Sequence, residues 1–377
     1  MSTGEEPGHV VGDPTRAVYD ARADEWHAQR GPSRLSAARR LGADARRAGR
    51  AGGLRPAPVV DLGCGPGWHL PALGSPVIAV DSSRAMLDLA PEHAPGAWRV
   101  QADLTRLPFR RGAVAGAWAS KSYVHVPRSA VPLALWDLHR VLPVGAPLEL
   151  VLFGGDLEHG PLPDDDFAGR RFSAWPSPLL LDVVVGAGFV VDRWHRRGTG
   201  DGPQLIVRAT RARTLADTVG PDMAVLLSGL NPSVYSADVG HGFARPGNRF
   251  WPAALAAGLV SRAHDPVAAL VHHGVGMTDV VKRATPRADE LTTDEYRAGM
   301  ARLERLVGWL QPKVVVFVGL AGWRAAVDRK AKAGPQPAAL AGRPVYVLPS
   351  TSGLNAATPL SALTEHLVTA RRLADRA

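Results

Sequence analysis

The sequence predicts two α/β domains in tandem, and three observations carry that prediction. The chain has 377 residues, about twice the ~100–200 that one compact domain uses. Short apolar runs alternate with helix-length segments in two separate series, the pattern of mainly parallel sheets with crossover helices. The two series share no internal repeat, so the halves are different domains and not copies.

Taken in order, residues 1–15 are polar and acidic and read as a flexible tail, with no apolar core of a secretion signal. Residues 34–50 (RLSAARRLGADARRAGR) place Leu35, Ala38 and Leu41 at helical spacing with arginines on the other side, the mark of an amphipathic surface helix. PVVDLG, VIAVD, WRVQADL, AVAGAWA, LELVLF and QLIVRAT follow as strands, the last over residues 204–210. The polar, turn-rich RARTLADTVGPD then gives a linker at 211–221 between domains at 16–210 and 222–377. The second series runs through MAVLLSGLNP, VVVFVGL (314–320) and PVYVLPS (344–350) to a helix after Pro359.

Composition narrows the class. At 46% hydrophobic and 21% charged residues the chain is of ordinary globular type. Its net charge of +9 divides into +4 for residues 1–215 and +5 for 216–377, so neither half is a polybasic module. That balance permits contact with DNA without requiring it. A single cysteine, Cys64, excludes an intramolecular disulfide and a cysteine-cluster zinc site, and no run of 18 apolar residues occurs. The expectation is a cytoplasmic, nucleoid-associated monomer without membrane contact. No metal is expected: the His272-His273 pair has no matching carboxylate or cysteine cluster.

Two segments carry chemistry. In the first half, the strand Val59-Val60-Asp61-Leu62 runs into Gly63-Cys64-Gly65-Pro66-Gly67. Glycines there let the backbone turn sharply and approach a ligand. A second strand ends in Asp81, at about the spacing that brings a carboxylate to ribose hydroxyls, and a third ends in Asp103 before Leu104. These features, with Tyr19-Asp20 and the stretch 138–153, resemble class I S-adenosylmethionine-dependent methyltransferases over residues 16–210. The resemblance implies a Rossmann-like fold and S-adenosyl-L-methionine as cofactor. It sets Asp61 and the turn of Gly63, Gly65 and Gly67 at the methionine end, Asp81 on the ribose, and Asp103 with Leu104 beside the adenine. The segment Ser120 to His125 has neither an Asn/Asp-Pro-Pro-aromatic motif nor a Pro-Cys pair. That points away from the DNA amino- and C5-methylating types and toward a small-molecule acceptor, with Tyr123 or His125 as candidate contacts.

In the second half, a strand leads into Ser228-Gly229-Leu230-Asn231-Pro232-Ser233, where proline stiffens the loop that presents Asn231. Phe243 follows in HGFARPGNRFW, and LPSTSGLN closes a later strand. A flipped base needs an aromatic face and a small apolar tip to fill the gap it leaves. The three segments resemble the mismatch-specific uracil/thymine-DNA glycosylases (family 2 uracil-DNA glycosylases) over residues 222–377, as do GMTDVVKRAT and QPKVVVFVG. The resemblance implies an α/β/α glycosylase fold acting on double-stranded DNA without a cofactor. It gives Asn231 the attacking water, Leu230, Ser236 and Phe243 the base, and Ser352, Gly353, Leu354 and Asn355 the wedge. Arg249, Lys282 and Arg283 become candidate phosphate contacts, Arg249 alternatively a brace for the loop. One departure is Ser233, where the family has glycine, a change expected to narrow the substrate range.

Three readings follow: a glycosylase fused to a methyltransferase of unknown acceptor; a methyltransferase whose C-terminal domain recognises DNA without excising; and a nucleic-acid-binding module on two degenerate folds. An intact Asn231 and an intact Asp61/Asp81 pair favour the first.

Overall fold

The computed structural model describes residues 13–51, 57–198, 202–355 and 357–376. The N-terminal half contains helices α1 (Pro14–Ala21), α2 (Ala23–Gln29), α3 (Leu35–Ala51), α4 (Leu70–Leu73), α5 (Arg84–His93), α6 (Val131–Val141) and α7 (Ser177–Gly186). Its strands are β1 (Val59–Leu62), β2 (Val77–Asp81), β3 (Trp98–Gln101), β4 (Gly116–Ser120), β5 (Pro147–Gly154), β6 (Leu157–Gly160), β7 (Phe172–Trp175), β8 (Phe189–Arg197) and β9 (Gln204–Arg211). Asp13, expected inside the tail, instead caps α1 by accepting from Thr15 N–H (2.9 Å), with Pro14 opening the helix. The rest of the expected tail, residues 1–12, lies outside the described residues.

The first sheet runs β3-β2-β1-β4-β5, all parallel; β9 then pairs antiparallel along β5, and β8 pairs antiparallel with β9. This is a Rossmann-like sheet with an antiparallel strand near its edge. The short β7 and β6 extend from the C-terminal end of β5. Wholly buried apolar strands such as β1 require cover on both faces. Leu135 and Leu138 of α6 and Val183 and Val184 of α7 supply one core. Ala38, Leu41 and Ala45 of α3 supply the other with α4, and Arg39, Arg40 and Arg47 of α3 stay outside as the sequence pattern requires.

The C-terminal half adds β10 (Val225–Gly229), β11 (Val275–Asp279), β12 (Val314–Val318), β13 (Gly334–Pro335) and β14 (Val345–Leu348) in the order β11-β10-β12-β14-β13. Its helices are α8 (Val234–Val239), α9 (Phe250–Ala256), α10 (Pro266–His273), α11 (Thr293–Leu310), α12 (Leu320–Ala326) and α13 (Leu360–Asp375). Phe250 and Trp251 of α9 pack with Leu363 and Leu367 of α13 on one face, and Leu303 and Leu306 of α11 with Trp323 of α12 on the other. Strand β11 escaped the sequence reading because GVGMTD is too short and glycine-rich to show an apolar run.

The segment expected as a linker, 211–221, is mostly buried. Thr214, Leu215, Asp217, Thr218 and Val219 are buried, and Thr218 bridges antiparallel to Met277 of β11. Asp217 accepts from Lys282 Nζ (2.6 Å), Thr278 Oγ1 (2.7 Å) and Arg302 Nη1 (2.8 Å), while its own N–H donates to Gly186 O (2.8 Å). Burial alone would push this carboxyl up; the two cations overcome that and hold it below its ordinary value. Polar composition suggested solvent, but distant partners satisfy the segment. The halves also meet where Arg305 pairs with Asp182 (2.5 Å) and Trp309 packs edge-on against Trp175 (5.6 Å).

Candidate active sites

In the N-terminal half the strand order reverses at β1 and β4, and a crevice opens at such a reversal. Gly63, Gly65 and Gly67 occupy it with φ of 68°, 54° and 88°. A Cβ on Gly63 would run into Ser122, and one on Gly67 would lie 2.7 Å from Leu70 Cδ1, so the turn requires glycine for both conformation and space. Asp81, at the end of β2, accepts from Gly65 N–H (2.8 Å) and Ser83 N–H (2.9 Å), which ties it to the turn. Burial pushes its carboxyl up to about 6. Asp61 is 1% exposed and its Oδ2 has no hydrogen-bond partner among the described residues. His69 Nδ1 stands 3.9 Å away and is itself held toward neutrality by burial. Burial, and then the nearby Asp81, raise the Asp61 carboxyl well above the usual range.

Asp103 and Leu104 lie just past β3, which ends one residue before the sequence reading placed it. Asp103 is exposed, its Oδ1 held by Thr105 N–H (2.7 Å), and Leu104 packs half-buried on the core. Over Gly65 sits Trp26 of α2, stacked on Trp68 at 5.1 Å. Of the two residues singled out for an acceptor, Tyr123 is fully buried, while His125 sits between Tyr19 Oη (2.9 Å) and Arg171 O (2.8 Å). Burial lowers the His125 imidazole to about 4, so it is neutral at physiological pH.

In the C-terminal half a cavity of about 260 Å³ lies beyond the C-terminal ends of β10, β11, β12 and β14. Leu230, Asn231, Ser236, Phe243 and Ser352 all line it. Asn231 Nδ2 donates to Arg283 O (2.9 Å) and Thr285 Oγ1 (2.8 Å). With the amide nitrogen fixed by a carbonyl, Oδ1 is left as an acceptor. Phe243 stacks one ring face on Phe250 (4.1 Å, 27°) at a backbone φ of 57°. A bulky residue in that region is strained, of order 1–3 kcal/mol, and such strain clusters at ligand sites. Ser236 Oγ meets Ser233 Oγ (3.1 Å) and accepts from Ala244 N–H (3.4 Å). Ser233 is the N-cap of α8, its Oγ accepting from Ser236 N–H (3.1 Å), so the departure from glycine has a structural occupation.

Gly353, Leu354 and Asn355 continue from Ser352 outside the cavity, and Leu354 is 90% exposed. Asn355 Nδ2 pins the loop to Ser350 O (2.8 Å). Arg249 donates to the carbonyls of Ser352, Asn355 and Thr358, so its guanidinium braces this loop and faces inward. The phosphate role expected for Lys282 is corrected likewise, since its side chain is 10% exposed and its ammonium is committed to Asp217. Arg283 is half exposed and paired with Glu295 (2.6 Å). Strands and turns announce themselves locally, whereas the partner of a basic side chain does not.

Sequence reasoning missed three residues here. Asp279 ends β11 directly opposite Gly229 and lines the cavity; glycine leaves room for its carboxylate, which burial pushes up to about 6. Trp136, from α6 of the other half, also lines the cavity. Arg111 donates from the N-terminal half to Val239 O (2.6 Å) and Ala237 O (3.4 Å), closing the C-terminal end of α8. Outside both sites, His27, Glu92 and His93 bring ligating atoms within 4.8 Å of one another, a grouping the sequence gave no reason to expect.

Comparison with known families agrees with this division. Residues 216–370 match the family described as Uracil DNA glycosylase superfamily, and residues 59–145 match the family described as Methyltransferase domain. The chain therefore carries a methyltransferase domain followed by a uracil-DNA glycosylase superfamily domain. Among solved structures, a methyltransferase from Methanosarcina mazei is similar at 19% identity and a TM-score of 0.38, covering 43% of this chain and 96% of its own. The 1,6-didemethyltoxoflavin-N1-methyltransferase of Burkholderia thailandensis is similar at 19% and 0.39, covering 56% and 93%. The magnesium protoporphyrin IX methyltransferase of Synechocystis is similar at 19% and 0.39, covering 53% and 100%. Among the described residues no helix is long and apolar enough to cross a membrane.

Proposed function

We propose that the chain is bifunctional: its C-terminal domain hydrolyses the N-glycosidic bond of uracil, or a related pyrimidine, opposite guanine in duplex DNA, and its N-terminal domain methylates an acceptor from S-adenosylmethionine. The observation that carries the first activity is the amide of Asn231, anchored through Nδ2 with Oδ1 free, in one cavity with Phe243 and the loop from Ser352. Breaking the bond builds oxocarbenium character on the sugar and negative charge on the leaving base. Asn231 Oδ1 holds a water for the sugar, the open face of Phe243 stacks on the flipped base, and Leu354 fills the gap in the duplex. Asp279, ionised above about pH 6, stabilises positive charge in the same pocket.

For the second activity, the glycine turn and the unpartnered carboxyl of Asp61 fit a ligand with a cationic amino-acid end, and Asp81 fits hydroxyls beside it. A bound ammonium would supply the counter-charge that Asp61 lacks. S-adenosylmethionine, when bound, supplies the methyl group; the chain's own part is to hold it and, through Trp26 over Gly65, to keep water out.

The full-length protein, incubated with duplexes containing uracil or thymine opposite guanine, should leave alkali-sensitive abasic sites, and Asn231→Ala should not. Undiminished release of uracil by that variant would sink the mechanism. Absence of any release by the parent protein would favour a domain that only recognises DNA. The ground for that second reading, Ser233, is weakened by its role as a helix cap.

A further inference from the structure

A second concave surface lies on the first domain, away from both sites. Arg34 before α3, Ser36 and Arg40 in its first turns, Glu149 of β5, Arg208 of β9 and one side of β8 enclose about 370 Å³, a size typical of small-molecule pockets. Alternate residues of a strand share a face, and here Arg193, His195 and Arg197 are the alternating set turned to the cavity.

Its charge is not balanced from within. Arg34 and Arg208 both reach the buried Glu149, and Arg208 also pairs with Asp44 (2.7 Å). Five arginines thus meet two carboxylates, and Arg40, Arg193 and Arg197 make no salt bridge among the described residues. The register sharpens the conflict: Arg193 stands directly opposite Arg208 across the β8–β9 pair. Like charges in that relation destabilise a sheet unless something answers them. The residue that begins the wall is also strained, Arg34 holding a φ of 61° with its Nε buried and without a partner. Arginines are suited to the task such a cleft implies, because their planar forks meet phosphate oxygens in pairs.

We propose that this cleft binds a small anion carrying two or more phosphate groups, held by Arg40, Arg193 and Arg197 over the fixed Arg34–Glu149–Arg208 floor. The concave, half-open shape and its small volume favour a compact ligand over a nucleic-acid strand lying on the surface. The three reading arginines are exposed and unpaired, so their replacement leaves the core intact.

The test is calorimetric titration of the full-length protein with inorganic tripolyphosphate, with a single-stranded oligonucleotide and citrate as competitors. One saturable site per chain is expected, weakening with added salt. Arg40→Gln and Arg193→Gln should each lower affinity about tenfold, with unchanged unfolding midpoints as the control for folding. No saturable binding, or equal binding by the double variant, overturns the proposal. So does citrate competing as well as tripolyphosphate, which would reduce the cleft to unspecific charge attraction. Oligonucleotide binding that strengthens with length and is not displaced by tripolyphosphate overturns it in favour of a nucleic-acid track.

Discussion

The two sites of this chain begin alike and end differently. Each follows the first strand of its parallel sheet and opens at that strand's C-terminal end, beside glycine. The first site gathers two carboxyls, the buried Asp61 and the half-buried Asp81, with no Lys or Arg salt bridge to either among the described residues; the second presents a neutral amide, Asn231, with one half-buried carboxyl, Asp279, behind it. Between the domains lies a third arrangement, where the buried Asp217 meets Lys282 and Arg302. Burial pushes all of these carboxyls up, and only Asp217 is brought back below its ordinary value, because Lys282 and Arg302 pair with it directly, whereas they act on Asp279 without a salt bridge. The difference separates an acid locked in ion pairs from acids without a paired cation, the kind of group that ligand sites use.

The largest expected effect tests the amide. Asn231→Ala should lower base release by about 10²–10³-fold, the scale of losing one positioned polar group in a water-poor site, while methyl transfer stays unchanged. Asp217→Asn should act on stability: removing the partner of two buried cations costs about 3–5 kcal/mol. A melting experiment should show both domains losing midpoint together; a loss confined to one domain would break the view of Asp217 as their shared fastening. Asp81→Ala should weaken S-adenosylmethionine binding about 10–100-fold and leave excision alone. Since Asp81 ionises at about 6, affinity for the cationic cofactor should rise as pH increases through 6, and a flat profile from 5 to 8 would remove Asp81 from that role.

A smaller effect separates Asp279 from Asn231. Excision should fall as pH drops through about 6, where Asp279 gains its proton, and Asp279→Asn should flatten that limb. The smallest concerns the join between the domains. Arg111→Ala frees the end of α8, which carries Ser236, so excision should fall by roughly tenfold through KM with cofactor binding untouched. Equal activity in this variant would mean that the N-terminal domain is only a neighbour of the excision site.

Much of both sites was legible in the chain, for a physical reason. Gly63, Gly65 and Gly67 after Val59–Leu62, and Asn231-Pro232 after Val225–Gly229, are strand-to-turn junctions written within about ten residues. Backbone conformation there follows from residue type alone. Asp81 and Phe243 could be singled out because each lies a short distance beyond such a junction. The burial of RARTLADTVGPD was not legible because the segment is polar, and polarity in sequence does not distinguish solvent from a buried partner.

The sequence by itself determined two α/β domains, the two glycine-bearing turns, and the amide and carboxyls placed at them. Only the tertiary structure decided which charges remain free: it turned Lys282 toward Asp217 and Arg249 toward the loop at Ser352, and set Asp279 opposite Gly229. It also brought Trp136 to the cavity of the other domain and Arg111 to the end of its helix α8. A turn is fixed by the residues that form it, whereas a charge is fixed by neighbours far away in the chain, and burial makes the choice of neighbour decisive.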